Sequence, residues 1–505
     1  MLADRDVDVL LQRLGSTLGP SREEFKQAER TLGVLEKQTG FAPALLSIVF
    51  AEEVPLGVRQ AAAVYFKNKV TRSWSTASVD PLPDADKAFL KANIVSSIVR
   101  APPPLREFFV VCLSSMLSQE YRNEGWPELL PQVMELLRNT NNLPGVVAGL
   151  VVLKQICKFY RWQNFTVNKQ LSPLMAEVFP YILQISEAAI QALHNGDERE
   201  VYYQLVYEVL KIYKLATSRV LPAVVRETEI AKRTISMFVN VFMLQPKDLP
   251  YAEKCTKWAA RNIATTYTTY LTKSYIKLSD NGAQYKPYRD LFVQLFCPEI
   301  TKLYIQQLQL WSADQRRLSD SCLSSVLIFL TAMIDVKQVY VNLISPQLNI
   351  LIAQILFRML SPTEADIDLF EDDPTEFILK NMNHSDYIQT PSTSASSFVQ
   401  RLVRKRPETL PLMLSFLEQN AQALSTQPDK IAAKVGVLNL LQALSPLLMK
   451  GDQSASLEPF VSKYVLPDLL SPNPFLRTAV CETIIKISEL NYTYRETLLV
   501  LFNGL

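Results

Sequence analysis

The sequence predicts an all-α chain of stacked antiparallel helix pairs, and three observations carry that prediction. Helical periodicity dominates, whereas strand-like alternation bounded by turn dipeptides is nearly absent. The helical segments recur in pairs with a period of about forty residues. Glycine is scarce, at 13 of 505 residues, while proline is frequent, at 30, which suits many short helices with punctuated ends. Together these are the signature of a HEAT-repeat superhelical solenoid.

The pairs are expected at 5–18 with 21–38, 41–51 with 56–74, 84–100 with 104–119, and 125–139 with 142–162. They continue at 170–194 with 198–217, 222–244 with 249–272, and 288–311 with 314–336. The helix at 338–360 finds its partner after an acidic stretch, and further pairs fill 395–425, 428–450, 457–470 and 474–490. "AGLVVLKQICKFYRW" (148–162) shows the logic: Leu150, Leu153, Cys157 and Tyr160 make one apolar stripe. Lys154, Lys158 and Arg161 make a basic stripe on another side, either a solvated face or a contact for an acidic partner. Helix starts are marked by Pro or an acid, as in "LPDADK", "SADQRR" and "SPNPFLR". The final run, "YRETLLVLFNGL", is still apolar where a solenoid normally ends on a polar capping repeat, so the array is expected to continue.

Bulk properties exclude several classes. Lys+Arg total 52 and Asp+Glu 50, so recognition by charge must come from local patches. Six cysteines without a CxxC pair, mostly in apolar runs, read as buried reduced thiols of a cytosolic or nuclear protein. The N-terminus has no signal-peptide pattern, and unbroken apolar runs such as "LPGVVAGLVVL" are too short to span a bilayer. There is no GxxxxGK[ST], G-x-S-x-G, HExxH or Cys/His cluster, and no metal or cofactor is called for. His194 and His384 read as exposed helix-end or loop residues.

One stretch stands out. In "TEADIDLFEDDPTEFI" (363–378), Glu364, Asp366, Asp368, Glu371, Asp372, Asp373 and Glu376 place seven carboxylates within thirteen residues. A calcium loop needs Gly at its sixth position, and counting from Asp366 that position is Glu371. A catalytic carboxylate pair needs a pocket, whereas these acids read as exposed. A solvated linker and a docking surface for a basic partner remain, with Pro374 starting the next helix and Glu376 near its positive end.

The helix at 57–74 turns by about 100° per residue. Val58, Ala61, Ala62, Tyr65 and Phe66 then share one side, and Gln60, Lys67 and Thr71 the other, with Asn68 near its edge. Lys69 falls on the apolar side and is expected to snorkel. Arg59 lies near the boundary, as a motif residue or an inter-repeat bridge. Trp258 is expected to pack between helices. The basic run Arg401, Arg404, Lys405 and Arg406 reads as a charged helix C-terminus before Pro407.

"VPLGVRQAAAVYFKNKVTRSW" (54–74) resembles the N-terminal domain of the importin-beta (karyopherin) superfamily, through Val58, Arg59, Ala62, Phe66, Lys67, Asn68, Val70 and Trp74. "YAEKCTKWAARNI" (251–263), "LFEDDPTEFI" (369–378) and the run 457–484 look like the importin seven/eight branch, and the second of these also like the CAS-type export receptor. Pro250 and Tyr251 depart from a doubled Trp common in that branch, and 163–245 matches weakly. The resemblance implies a nuclear transport receptor that shuttles between cytoplasm and nucleus. It would bind the Ran GTPase in its GTP form, Phe-Gly nucleoporins, and basic cargo such as ribosomal proteins or histones. Arg59, Lys67 and Asn68 would carry the Ran contact, with Lys154, Lys158 and Arg161 beside them. The acidic segment, within the eighth repeat, would dock Ran or cargo. The implied organisation is a Ran-binding section at 1–162, central repeats at 163–360, an acidic insertion and linker at 361–394, and further repeats at 395–505. A CAS-type export receptor and a HEAT scaffold outside transport are the alternatives.

Overall fold

The computed structural model describes residues 4–121, 126–161, 170–197, 199–245, 248–279, 282–377, 390–449 and 454–487, and these contain helices and connections but no strand. The helices pair as expected. In order they are α1 (Asp4–Ser16) with α2 (Arg22–Leu35), α3 (Phe41–Phe50) with α4 (Leu56–Ser73), and α5 (Asp84–Arg100) with α6 (Pro103–Glu120). Then come α7 (Leu129–Arg138) with α8 (Leu143–Arg161) and α9 (Leu171–His194) with α10 (Glu200–Ala216), followed in sequence by α11 (Thr228–Met243) and α12 (Ala252–Thr266). The later elements are α13 (Cys297–Ser312) with α14 (Asp320–Met333), and α15 (337–360, with two π-helical segments) with α16 (Glu364–Asp372) and α17 (Pro391–Lys405). The last are α18 (Leu410–Ser425) with α19 (Ile431–Leu448), and α20 (Ser454–Phe460) with α21 (Pro474–Lys486).

The chain forms two compact units, Met1–Met237 and Phe238–Leu505. Within the first, the second helices of successive pairs stack, α4 on α6, α6 on α8 and α8 on α10. Within the second unit the same row runs α12, α14, α17, α19, α21. A helix held between two others is buried nearly all round. This corrects the expectation about apolar length: Leu143–Arg161, Ile431–Leu448 and the 337–372 stretch reach the length and apolarity of bilayer spans. The helices run on through polar residues that interrupt the apolar strings, and the first two carry most of that surface into the stack. The thiols of Cys112, Cys157, Cys255, Cys297 and Cys322 are buried, and burial pushes Cys157 and Cys322 up to about 12. Such thiols stay protonated and act as small apolar side chains.

"SADQRR" is not a helix start but the turn that closes α13: that helix ends at Ser312, Asp314 takes left-handed backbone at φ 57°, and α14 begins at Asp320. Two longer segments also depart from the expected pattern. The sequence places a helix start at 288, but Lys273–Leu278, a 3₁₀ turn at Gly282–Tyr285 and Lys286–Leu291 already fill that connection and lead through a π-helical turn into α13. Thr272 caps the first of these by accepting from the Tyr275 amide. The rings of Tyr270, Tyr275 and Tyr285 pack on one another at 5.7–5.8 Å. These pieces are too short to show a 3.6-residue period, so aromatic packing rather than patterning holds them. The second departure is the acidic stretch, where Glu364–Asp372 forms a helix, α16.

A recurrent device closes helix ends. The last carbonyls of a helix have no partner within it. Here side chains from a neighbouring element supply one: Arg59 donates to the Val49 carbonyl, Arg219 to Arg161, Arg358 to Ser312, Arg406 to Ile334, and Asn439 to Leu360. Arg316 does the same for Phe242, stacks on its ring at 5.0 Å, and also donates to Gln307 Oε1, while only 4% exposed. Arg316→Met keeps the apolar stem but strands two buried acceptors. The expected loss is about 1–3 kcal/mol, read from the urea midpoint. A variant as stable as the parent would show that this cap contributes nothing.

Candidate partner-binding surfaces

The polar face of α4 is set by what the helix buries. Ala62, Ala63, Phe66, Lys69, Val70 and Ser73 form its buried side, with Phe66 edge-on to Phe109 of α6 at 5.7 Å. This leaves Asn68 exposed and Lys67 half-buried. Lys69 does not snorkel. It is 1% exposed, and its ammonium lies 2.6 Å from Asp80 in the loop that follows α4. The carboxylate comes to the lysine, so the charge is neutralised in place. Hydrogen bonding to Lys69 holds the Asp80 carboxyl below its usual range. Arg59 bonds the end of α3 at 2.8 Å, which makes it a bridge between the two helices of its own pair. Trp74, the last residue of the motif, is buried and donates from Nε1 to Glu120 at 2.9 Å.

The basic stripe on α8 is divided. Lys158 is exposed and Arg161 half-exposed. Lys154 pairs at 2.7 Å with Glu208, a carboxylate 3% exposed in the middle of α10. Burial pushes the Glu208 carboxyl above its usual range, and Lys154 opposes that push. Lys154 therefore serves the α8–α10 contact. Its partner lies far along the sequence, but one signal was present: a lone acid among Leu205, Val206, Val209, Leu210 and Ile212. Lys67 and Lys158 sit on second helices separated by α6, so the structure places them along one row without bringing them into contact.

The acidic segment is built by its capping residues. Thr363 caps α16 by accepting from the Asp366 amide, and Asp366 accepts in return from the Thr363 amide. Asp373 ends α16 and accepts from the Glu376 amide at 2.9 Å, so it caps the helical turn 374–377 that Pro374 opens. Two of the seven acids are thus occupied locally. Glu364 and Asp368 are exposed along α16, and Glu376 is exposed on the following turn. Glu371 and Asp372 are exposed at the C-terminal end of α16, where the helix dipole disfavours negative charge. Ile378, the last residue of the acidic run, lies outside the described residues, as does His384.

Three other candidate residues or runs have simple structural surroundings. Arg401 and Lys405 both face Asp335, and Arg406 stacks on Tyr340 at 4.2 Å, so this basic run clamps α17 to the turn between α14 and α15. Trp258 is only half-buried, with Arg261 over its ring at 5.1 Å, while Ala259 and Ala260 take the buried positions. His194 is exposed at the end of α9.

Stacked helix pairs, with polar residues along the second helices and an acidic helix set into the eighth pair, define a helical-repeat protein. The importin-beta N-terminal domain model matches residues 28–100, and the Cse1 model matches residues 164–480, more than half of the chain. The chain belongs to the importin-beta superfamily. It is 26% identical to nonsense-mediated mRNA decay protein 5 of Saccharomyces cerevisiae over 96% of its own length and 49% of that protein's. It is 25% identical to importin-8 of Mus musculus over 96% and 48%. The chain thus spans about half the length of the curated relatives it matches. Among solved structures, the exportin Cse1 in its cargo-free, cytoplasmic state superposes with a TM-score of 0.77 at 20% identity, over 99% of this chain and 55% of that one. Kap95 in complex with Nup1 gives 0.56 at 14% identity, over 96% and 51%, and Kap121p bound to RanGTP gives 0.51 at 13%, over 97% and 41%. These likenesses show a shared karyopherin HEAT-repeat fold.

Proposed function

We propose that this chain is the Ran-responsive part of a nuclear transport receptor that carries basic cargo into the nucleus and releases it to RanGTP. The observation that carries the reading is the acidic helix in the eighth pair. It keeps Glu371 and Asp372 exposed at a helix end where they cost about 0.3–1 kcal/mol each. A basic partner would offset that cost. Superfamily membership supports the setting, and a karyopherin solved with RanGTP shares the fold. Lys67, Asn68 and Lys158 are the Ran contacts we propose on the second-helix row, with Arg59, Lys154 and Arg161 positioning the helices that present them. Phe-Gly nucleoporins would use apolar grooves between first helices, a partner class for which the Kap95 complex with Nup1 is the support. Ran and cargo would then oppose each other through one stack, and linkage makes that opposition reciprocal.

The acidic surface is tested by Glu371→Gln with Asp372→Asn, which removes charge while leaving the Asp373 cap in place. Weaker binding of RanGTP or of a histone-type basic cargo is expected at low salt, with the difference from the parent shrinking as salt rises. Unchanged affinity at low salt would return α16 to a structural role.

A second reading has its own support. The Cse1 model covers residues 164–480 and the Cse1 structure superposes at 0.77. A CAS-type export receptor would bind cargo more tightly with RanGTP present. The sign of the coupling separates the two.

A further inference from the structure

We propose that the acidic helix and the turn after it, 364–377, are an intramolecular strap that ties the eighth helix pair to the tenth across the ninth. Phe370 is the one buried residue of α16, at 7% exposure on a helix whose other residues are exposed or half-buried. Its ring packs edge-on against Phe475 at 5.1 Å and against Phe377 at 5.4 Å. Phe377 closes the triangle on Phe475 at 5.3 Å. Phe475 lies in the first turn of α21, a turn fixed by Pro474 and by Asn473, which accepts from the Leu476 amide at 3.1 Å. The helices between these rings in sequence are α17, α18, α19 and α20.

The main path between the same pairs runs through the stack. The end of α15 packs on α19, where Asn439 bonds the Leu360 carbonyl and Gly436 leaves room for Ser361 and Phe357. From there α19 packs on α21. The aromatic triangle is a second, parallel path. On the α16 side it rests on the rings of Phe370 and Phe377, next to the half-buried Ile367 and Leu369, so it can release without opening the core of any pair. The carboxylates of Glu371 and Asp372 face solvent beside it. If the transport reading above holds, a basic partner gripping them acts on a segment latched at Phe475, so partner binding and the spacing of pairs eight to ten are linked. The strap itself does not depend on that reading.

Amide hydrogen exchange of the whole chain tests it. Phe475→Ala, about a hundred residues away in sequence, is expected to raise exchange across 364–377 about tenfold, with α14 and α18 unchanged. Unchanged exchange across 364–377 would overturn the proposal. Should Phe475→Ala unfold α21 itself, the double variant Phe370→Ala/Phe377→Ala leaves that helix its own residues. Faster exchange in the first turn of α21 then supports the strap, and no change there overturns it. The latch is apolar, so it is expected to persist in roughly 1 M salt, where charge pairs are screened within about 3 Å. Release by salt would assign the contact to the acids and contradict the aromatic latch.

Discussion

Lys154→Ala is expected to lower the unfolding free energy by about 3–5 kcal/mol, because it leaves the Glu208 carboxylate buried without its counterion. The pair lies at 2.7 Å between α8 and α10, two of the most heavily buried helices of the first unit. The double variant Lys154→Met/Glu208→Leu removes both charges and is expected to recover most of the loss. The effect has a pH signature. Burial already holds Glu208 above the usual carboxylate range, and Lys154 is what opposes it. Without Lys154 the folded state favours the protonated acid more strongly. A carboxyl raised in the folded state gives stability that is present below its unfolded pKa and lost as pH rises through its folded pKa. The deficit should therefore be smallest in mildly acidic solution and largest at neutral pH, as read from urea midpoints. A deficit independent of pH would show that lost packing, not the stranded charge, is the cause.

Trp74→Ala is expected to cost about 3–5 kcal/mol, the range for emptying a buried aromatic site. The indole is 2% exposed and bridges α4 to α6 by its bond to Glu120, which also pairs with Lys91. Trp74→Phe keeps most of the apolar surface and loses that bond, at about 1 kcal/mol. Thermal unfolding separates the two variants. Folded Trp74→Phe should bind partners like the parent, whereas Lys67→Glu/Asn68→Ala should fold like the parent and bind Ran less well. The opposite pattern would reverse which motif residues hold the fold and which meet the partner.

Helix positions were legible because amphipathic periodicity and end signals agree over long segments. Asp84–Arg100 and Pro474–Lys486 begin at the "LPDADK" and "SPNPFLR" signals, and in the second Asn473 also caps the helix by accepting from the Leu476 amide. The charged partners were not legible. Lys69 finds Asp80 across a loop and Lys154 finds Glu208 on another helix, and periodicity on one helix is silent about both. The acidic helix had a local signal, Thr363 with Asp366 three residues on, but the seven like charges masked it. Its ring contact to Phe475 depends on how three pairs stack, which no local pattern encodes. Of the proposed contact residues, Asn68 and Lys158 have the exposure that periodicity predicts, whereas the polar groups of Arg59 and Lys154 are used within the stack.

The most direct test of the central claim is the binding of this chain to Ran loaded with GTP or with GDP, measured side by side by calorimetry. Clear preference for the GTP form is expected, weakened by Lys67→Glu/Lys158→Glu. Absent binding, or equal binding to both forms, would contradict it.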